Sequence, residues 1–277
     1  MDRRFIITTL ALGFSLTSIN AALYSASVSG QNPVAHYRLS DLTDEEGGGD
    51  LTQNGVLVPN TTGPALTPAN GFNGFDSSNQ WATFGGAGAD TLTTLSTSWG
   101  SDAGTVSYWL RLNGTGSGTQ TGIFGNATGG ATIFGGSFND AIATFARNDG
   151  SLGISIDGNQ IGAGTGTIST GEWHHLAFTW ERNTGAGDGV ILGYLDGTQV
   201  LSSTTASFDS FSISTARFGK EIGGGSRQLV GSADEIAIWD RALTQAEVSA
   251  QYIAAIPEPS SALLLMGGLG MLAFRRR

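Results

Sequence analysis

Hydrophobic positions in the middle of the chain recur at every second residue. In residues 105–112, the apolar side chains Val106, Tyr108, Leu110 and Leu112 share one face. A period of two is the spacing of a half-buried β-strand, whereas a helix repeats every 3.6 residues. The pattern therefore predicts strands in this part of the chain.

Residues 173–182 show the same alternation, with apolar side chains on both faces. The two faces carry, respectively, Leu176, Phe178 and Trp180, and Trp173, His175, Ala177 and Thr179. Asp196-Gly197 downstream predicts a tight hairpin turn. Further strands are predicted at residues 34–39, 80–84, 122–124, 141–147, 151–157, 189–196, 216–219 and 234–239, and loops at 44–73 and 113–120.

Ten or more short strands joined by turns predict an all-β sandwich. The composition agrees, because 43 glycines suit tight turns and only 13% charged residues leave few side chains for exposed helix faces. One short helix is predicted near the end of the domain. Thr244 and Glu247 have the spacing of a capping box, Leu243 and Val248 that of a hydrophobic staple, and the helix is expected to run to about Tyr252.

The first 26 residues have the form of a secretory signal peptide. Arg3 and Arg4 precede an apolar run at residues 5–16, and small residues follow. We therefore predict a signal peptide at residues 1–26, whose helix is distinct from the domain at residues 30–253.

The C-terminal tail, residues 254–277, has three parts in order. Pro257, Glu258 and Pro259 come first, then the apolar segment 262–274 and the arginines 275–277. Thirteen helical residues span about 20 Å, which is short of a bilayer's hydrocarbon core of about 30 Å. The tail is therefore predicted to associate with the membrane only transiently.

This tail closely resembles the PEP-CTERM sorting signal of exported bacterial proteins. The resemblance implies an exosortase-type processing enzyme as a partner. It also implies a location at the cell surface, the outer membrane or the extracellular matrix of a bacterium.

The charge and the absence of cysteine exclude several classes of protein. The formal net charge is −10, and removal of five terminal arginines and one aspartate leaves roughly −14. Such a surface repels phosphate backbones, so nucleic acid is not expected as a partner. Without cysteine, zinc fingers, iron–sulfur clusters and thiol catalysis are excluded.

Three segments carry a family resemblance. They are residues 34–39, residues 171–180 together with 193–197, and residues 234–244. The third segment begins with Asp234-Glu235 and ends at the helix cap Thr244. Together they resemble the LamG-like jelly roll of the concanavalin A-like lectin/glucanase superfamily. The resemblance implies a two-sheet antiparallel jelly-roll sandwich, with about six or seven strands in each sheet.

The same resemblance implies a structural calcium ion. Relatives hold it with acidic residues of the first loop and of the last strand, which here correspond to Asp50 and Asp234, with Asp41 as a weaker candidate. Calcium prefers six to eight oxygen ligands, and a Gly-rich loop supplies carbonyls. The alternative is that these are solvated turn carboxylates.

Catalysis is not expected. Laminarinase-type hydrolases of this superfamily use alternating carboxylates on one strand, but a regular strand would place Ala237 and Trp239 beside Glu235 and would turn Asp240 away. His174 and His175 are adjacent in a strand, so they point to opposite faces and cannot bind one metal ion together. No G-x-S-x-G motif is present for a nucleophilic triad.

We therefore predict a non-catalytic exported domain that binds glycans or proteins. Aromatic side chains stack on sugar rings, and the candidates are Trp81, Trp99, Trp239, Phe134 and Phe138. The alternatives are a structural component of the extracellular matrix without a discrete ligand, and an atypical glycoside hydrolase.

Overall fold

In the residues that the structure describes, the protein folds as two antiparallel sheets with two short helices on one side. A computed structural model describes residues 23–54, 58–59, 72, 74–75, 79–85, 91–94, 102–113, 120–126, 142–147, 150–156, 159–162, 168–182, 189–206, 216–219 and 229–256. Within these ranges, both sheets are antiparallel, which confirms the predicted all-β sandwich. In the same ranges, neither helix has the length and apolar character needed to cross a membrane.

The larger sheet has eight strands in the described part of the chain. They are β1 (Ala35–Tyr37), β3 (Val58–Pro59), β4 (Ala82–Gly85), β6 (Ala103–Leu112), β11 (Trp173–Arg182), β12 (Gly189–Leu195), β13 (Thr198–Ala206) and β15 (Val230–Trp239). Their order is β13-β12-β11-β6-β15-β4-β3, and β1 also pairs with β15. We call this the helix-side sheet.

The second sheet has seven strands among the described residues. They are β2 (Leu51–Asn54), β5 (Thr91–Thr94), β7 (Gln120–Asn126), β8 (Ile142–Arg147), β9 (Leu152–Ile156), β10 (Asn159–Gly162) and β14 (Ala216–Phe218). Their order is β10-β9-β8-β7-β14-β5-β2. Both sheets are close to the expected six or seven strands.

The main core lies between the two sheets. Leu176 and Phe178 of β11 and Ile154 of β9 are fully buried in one apolar cluster. The other face of the helix-side sheet buries a second cluster beneath the helices, which we call the outer cluster and which includes Trp109, Ala177 and Trp239. The alternation predicted for β6 and β11 is confirmed, because neighbouring residues enter opposite clusters.

Helix α2 (Gln245–Ala255) begins as predicted. The Thr244 hydroxyl accepts a hydrogen bond from the Glu247 backbone N–H, and the Glu247 side chain accepts one from the Thr244 N–H. Both Leu243 and Val248 are buried in the outer cluster. The helix continues one turn beyond the predicted end at Tyr252, because its last residue, Ala255, is itself fully buried.

Helix α1 (Leu23–Ser29) packs onto the same face and begins inside the predicted signal peptide. Tyr24 and Val28 are fully buried in the outer cluster. The Tyr24 ring lies 4.8 Å from the Phe75 ring, centroid to centroid. Residues from Leu23 onward therefore contact the folded domain, while the boundary at residue 26 stays a prediction.

One predicted loop is partly wrong. Residues 44–73 contain β2 and β3, which pair with β5 and β4, respectively. Leu51 anchors β2 because its side chain reaches the main core, where it is 4% exposed. A single apolar residue among polar neighbours gives too little periodicity to mark a strand in the sequence.

Candidate functional site

A partly exposed pair of tryptophans lies at one end of the helix-side sheet. Trp173 begins β11, opposite Arg111 at the end of β6. Its indole meets that of Trp81 edge-on, with 6.1 Å between ring centroids and 79° between planes. Trp173 is half-buried and Trp81 is 6% exposed, so Trp173 presents the accessible part of the pair.

Polar side chains lie beside Trp173, on the end of β6 and in the turn that precedes β11. The Arg111 Nε donates to the Gly171 carbonyl at 2.8 Å, which holds the turn against β6. The Ser169 hydroxyl donates to the Glu172 carboxylate at 2.6 Å, and both residues are exposed. We call this set the Trp173 patch: Trp81, Arg111, Ser169, Glu172 and Trp173.

A Ser–His–Asp chain lies behind the patch. The His174 Nδ1 is 2.8 Å from an Asp196 carboxylate oxygen, and its Nε2 is 2.8 Å from the Ser169 hydroxyl. The Ser169 backbone N–H donates to that same Nε2 at 3.2 Å, so Nε2 accepts and Nδ1–H donates to Asp196. Ser169 lies outside any G-x-S-x-G motif, so no local pattern in the sequence marks it.

Further hydrogen bonds fix the members of this chain. The Ser169 hydroxyl has a charged acceptor in Glu172 at 2.6 Å, and charge-assisted hydrogen bonds are the stronger ones. The imidazole nitrogen that would take the serine proton already accepts from a backbone N–H. Asp196 also accepts from the His175 N–H at 2.9 Å, so the chain ties the turn to the β12–β13 hairpin.

Glu235, the acid considered for glycoside hydrolysis, is sealed inside the protein. It is fully buried, 2.7 Å from the His36 Nε2 and 3.3 Å from the Arg38 Nε. A β-bulge interrupts β15 between Asp234 and Ala237, and Glu235 there has φ +50°. The regular alternation assumed from the sequence therefore fails at this point, since a bulge adds a residue to one strand.

Asp234 is also fully buried. It accepts from the Asn79 Nδ2 at 2.7 Å and from the Glu235 N–H at 2.8 Å. Burial raises its pKa well above the usual range, and the neighbouring Glu235 charge raises it further. The Asn79 Oδ1 beside it is buried and has no hydrogen-bond partner among the described residues.

The other two predicted metal ligands lie in exposed turns. One Asp41 oxygen accepts from the Thr43 N–H and hydroxyl at 2.9 and 2.6 Å, which lowers the Asp41 pKa. Asp50 accepts from the Asp44 N–H at 3.2 Å. Within the described ranges, no three acidic or histidine side chains are grouped to hold a metal ion.

Of the three candidates, Asp234 alone is buried. A cation there would satisfy the free Asn79 oxygen and would offset the repulsion between two buried acids. Asp41 and Asp50 are exposed, and each accepts from a backbone N–H of the same loop.

The structure removes one aromatic candidate from the surface. Trp239 is 0% exposed in the outer cluster, so its ring is closed to a sugar. Trp81 is also largely buried, with 6% of its surface exposed. Trp99, Phe134, Phe138, the sorting residues 257–259 and the segments 262–274 and 275–277 lie outside the described residues.

Solved structures show the same fold. Domain 4 of the extracellular arabinanase AbnA from Geobacillus stearothermophilus, in complex with arabinotriose, is 19% identical with a TM-score of 0.55, covering 79% of this chain and 98% of that chain. The botulinum neurotoxin serotype D ligand binding domain, in complex with N-acetylneuraminic acid, is 15% identical with a TM-score of 0.55.

The coverage differs between these two structures. The alignment covers 83% of this chain but 52% of the neurotoxin domain, so this chain corresponds to about half of that domain. At these identities, the likeness establishes the fold alone. No curated protein matches the chain.

Two family models match successive parts of the sequence. The PEP-CTERM protein-sorting motif matches residues 255–277, which confirms the predicted sorting signal and the coarse destination, export and surface sorting in bacteria. The other model matches residues 84–249, more than half of the chain. With both sheets in agreement, the chain belongs to the concanavalin A-like lectin/glucanases superfamily.

Proposed function

We propose that this protein is a non-catalytic, surface-associated domain that binds glycans through the Trp173 patch. The observation that carries the proposal is the partly exposed Trp173, which contacts Trp81 and lies beside the exposed Ser169 and Glu172. A sugar ring presents both an apolar face and a rim of hydroxyls, so it needs both kinds of contact.

The polar groups of the patch have the chemistry for hydroxyl recognition. The Glu172 carboxylate accepts hydrogen bonds, and the Arg111 guanidinium donates them. Both are held in place, Arg111 by Gly171 and Glu172 by Ser169. Fixed side chains lose little conformational freedom on binding, which favours affinity.

The relatives and the location support this proposal. Two domains that share the fold have been captured with arabinotriose and with N-acetylneuraminic acid, both carbohydrates. The sorting motif implies processing by exosortase-type machinery. We propose the bacterial surface or its polysaccharide matrix as the final location, where glycans surround the protein.

The test is glycan-array binding by the wild-type protein and the Trp173→Ala variant. We expect binding by the wild type and its loss in the variant. Val190→Ala is the matched control, because Val190 is 39% exposed on the same sheet. Equal binding by wild type and Trp173→Ala would contradict the patch, and no glycan binding at all would favour a structural matrix role.

The alternative, an atypical glycoside hydrolase, is tested by assaying the same protein for cleavage of the glycans that it binds. Cleavage of a bound polysaccharide, abolished by Glu235→Gln, would overturn the non-catalytic proposal. We expect no cleavage, because Glu235 is fully buried and paired with His36.

We also propose a structural calcium ion at Asp234 and the Asn79 Oδ1. Calcium that binds only the folded state raises the melting temperature, and EDTA reverses the rise. The variant Asn79→Ala is expected to lose this response, whereas Asp41→Asn, in an exposed turn, is expected to keep it. An unchanged melting temperature in the wild type would contradict the site.

A further inference from the structure

The two ends of the described domain meet at a single residue, Gly74. The Tyr24 N–H, at the start of α1, donates to the Gly74 carbonyl at 3.2 Å. The Gly74 N–H donates to the carbonyl of Ala255, the last residue of α2, at 3.0 Å. The signal-peptide side and the sorting-tail side of the chain therefore leave the domain at neighbouring points.

Gly74 makes this junction as close as a backbone allows. A Cβ atom on Gly74 would lie 1.8 Å from the Ala254 carbonyl oxygen, so no side chain fits there. A second tie lies nearby, where the Gln31 Nε2 donates to the Glu247 carbonyl at 3.0 Å and the Gln251 Nε2 donates to the Gln31 Oε1 at 2.6 Å. The segment that begins with α1 is thus fixed to α2 at more than one point.

The two segments that meet at the junction carry exposed apolar side chains, and the nearest charge recorded against α1 is Glu46, which accepts from the Ser29 hydroxyl at its far end. Among the described residues, three large hydrophobic side chains are exposed, and two of them are here: Leu23 at 37% and Ile253 at 61%. Neither α1 nor residues 251–256 contain a charged side chain. In a domain of roughly −14 net charge, this is a surface that anionic lipid headgroups do not repel. We call it the Gly74 pole: Leu23, Gly74 and Ile253.

The length of the tail limits how far this pole lies from a membrane. The sorting motif matches from residue 255, and the apolar segment begins at residue 262. Five residues, 257–261, connect the last described residue to that segment, and five extended residues reach at most about 18 Å. The headgroup layer alone is roughly 5–7 Å thick.

We propose that the Gly74 pole lies against the lipid bilayer while the sorting tail is inserted. The helices α1 and α2 then lie between the membrane and the helix-side sheet, and the seven-stranded sheet faces away. The ligand of this surface is phospholipid, held there by the tail and accommodated by the exposed Ile253 side chain and, in the chain that keeps its signal peptide, by Leu23. This proposal does not depend on glycan binding.

The chain has no cysteine, so single thiols report position without background. We suggest Ile253→Cys, labelled with an environment-sensitive fluorophore, in the full-length protein reconstituted into phosphatidylethanolamine–phosphatidylglycerol vesicles. Thr52→Cys is the matched control, because Thr52 is exposed on β2 of the far sheet. Ala246→Cys, exposed in the first turn of α2, gives an intermediate position.

We expect the label at position 253 to shift to the blue, to lose fluorescence to nitroxide-labelled lipid and to be shielded from aqueous iodide. The label at position 52 should show none of these changes, and position 246 should lie between them. Equal quenching at positions 253 and 52 would overturn the proposal. Shielding of position 253 that rises with protein concentration rather than with lipid would indicate self-association and would also overturn it.

Discussion

The two faces of the helix-side sheet are stabilised in different ways. On the inner face, the fully buried Tyr108 has its hydroxyl 2.7 Å from the Thr144 hydroxyl, and its other neighbours are apolar. On the outer face, the buried His175 Nδ1 and Trp239 Nε1 have no hydrogen-bond partner among the described residues. The inner face is thus a sheet-on-sheet core, whereas the outer face is covered by two short helices over polar atoms.

This difference indicates where the fold is sensitive to sequence and to solution conditions. Burial of apolar surface between sheets depends little on pH. The outer face carries a titratable ring and relies on helices that are too short to be stable alone. The dependence of the domain's stability on pH should therefore arise mostly on the outer face.

The largest expected effect is at Tyr24 of α1. Removal of a fully buried aromatic ring costs about 3–5 kcal/mol, so Tyr24→Ala should lower the free energy of unfolding by about that much. Urea unfolding of the domain measures it. If the variant unfolds like the wild type, α1 is not part of the stable domain and the outer face has one helix fewer.

A control next to Tyr24 separates packing from helix formation. Leu23→Ala removes a 37% exposed side chain and preserves helix propensity. Its free energy of unfolding should change by no more than about 0.5 kcal/mol. Equal losses in the two variants would mean that burial of Tyr24 is not the cause.

The next effect is a pH dependence at His175. Burial lowers its pKa to about 4, against opposing contributions from Asp196 and Gln251, whereas the unfolded value is 6.5. Between these values, the unfolded chain binds the proton more readily, so this contribution to stability is complete above pH 6.5 and is lost as the pH falls toward 4. The loss is roughly 3 kcal/mol.

Urea unfolding at pH 7 and at pH 4.5 measures this loss. His175→Phe keeps a ring in place and should flatten the pH dependence. Phe178→Leu, on the inner face of the same strand, should destabilise the domain at both values and should keep the pH dependence. A His175→Phe variant with the wild-type pH dependence would assign the titration to another group.

The smallest effect is at the N-terminus of α2. Thr244→Ala removes the capping hydroxyl that contacts Glu247 and should cost about 1 kcal/mol. Chemical denaturation at pH 7 measures it. Ala246→Ser, exposed in the same turn, should be nearly neutral. A Thr244 effect no larger than that of the control would mean that the outer cluster, rather than the cap, holds α2.

The fold was predictable where a residue's neighbours in sequence decide its structure. Alternation in β6 and β11, the Asp196-Gly197 turn and the Thr244 cap all act within a few residues. Helix α1 was missed because its burial depends on Phe75 and Trp109, which are distant in sequence.

The candidate site was less predictable than the fold. The bulge at Glu235 removed the regular alternation on which its expected face depended. Trp173 was recognised as the start of a strand, but its pairing with Trp81 spans two intervening strands and leaves no local pattern. Exposure likewise depends on the whole fold, which is why Trp239 resembled a surface residue in the sequence and is buried.

The position of Gly74 between the two ends of the domain has a consequence for engineering. Gly74 hydrogen-bonds to Tyr24 near the start of the domain and to Ala255 near its end. A short linker from Ile256 back to Leu23 would therefore close the chain into a ring without crossing either sheet. Domains with adjacent ends tolerate circular permutation and insertion into other proteins. The sandwich is therefore an exchangeable unit. Another domain with adjacent ends could replace it between the two export signals.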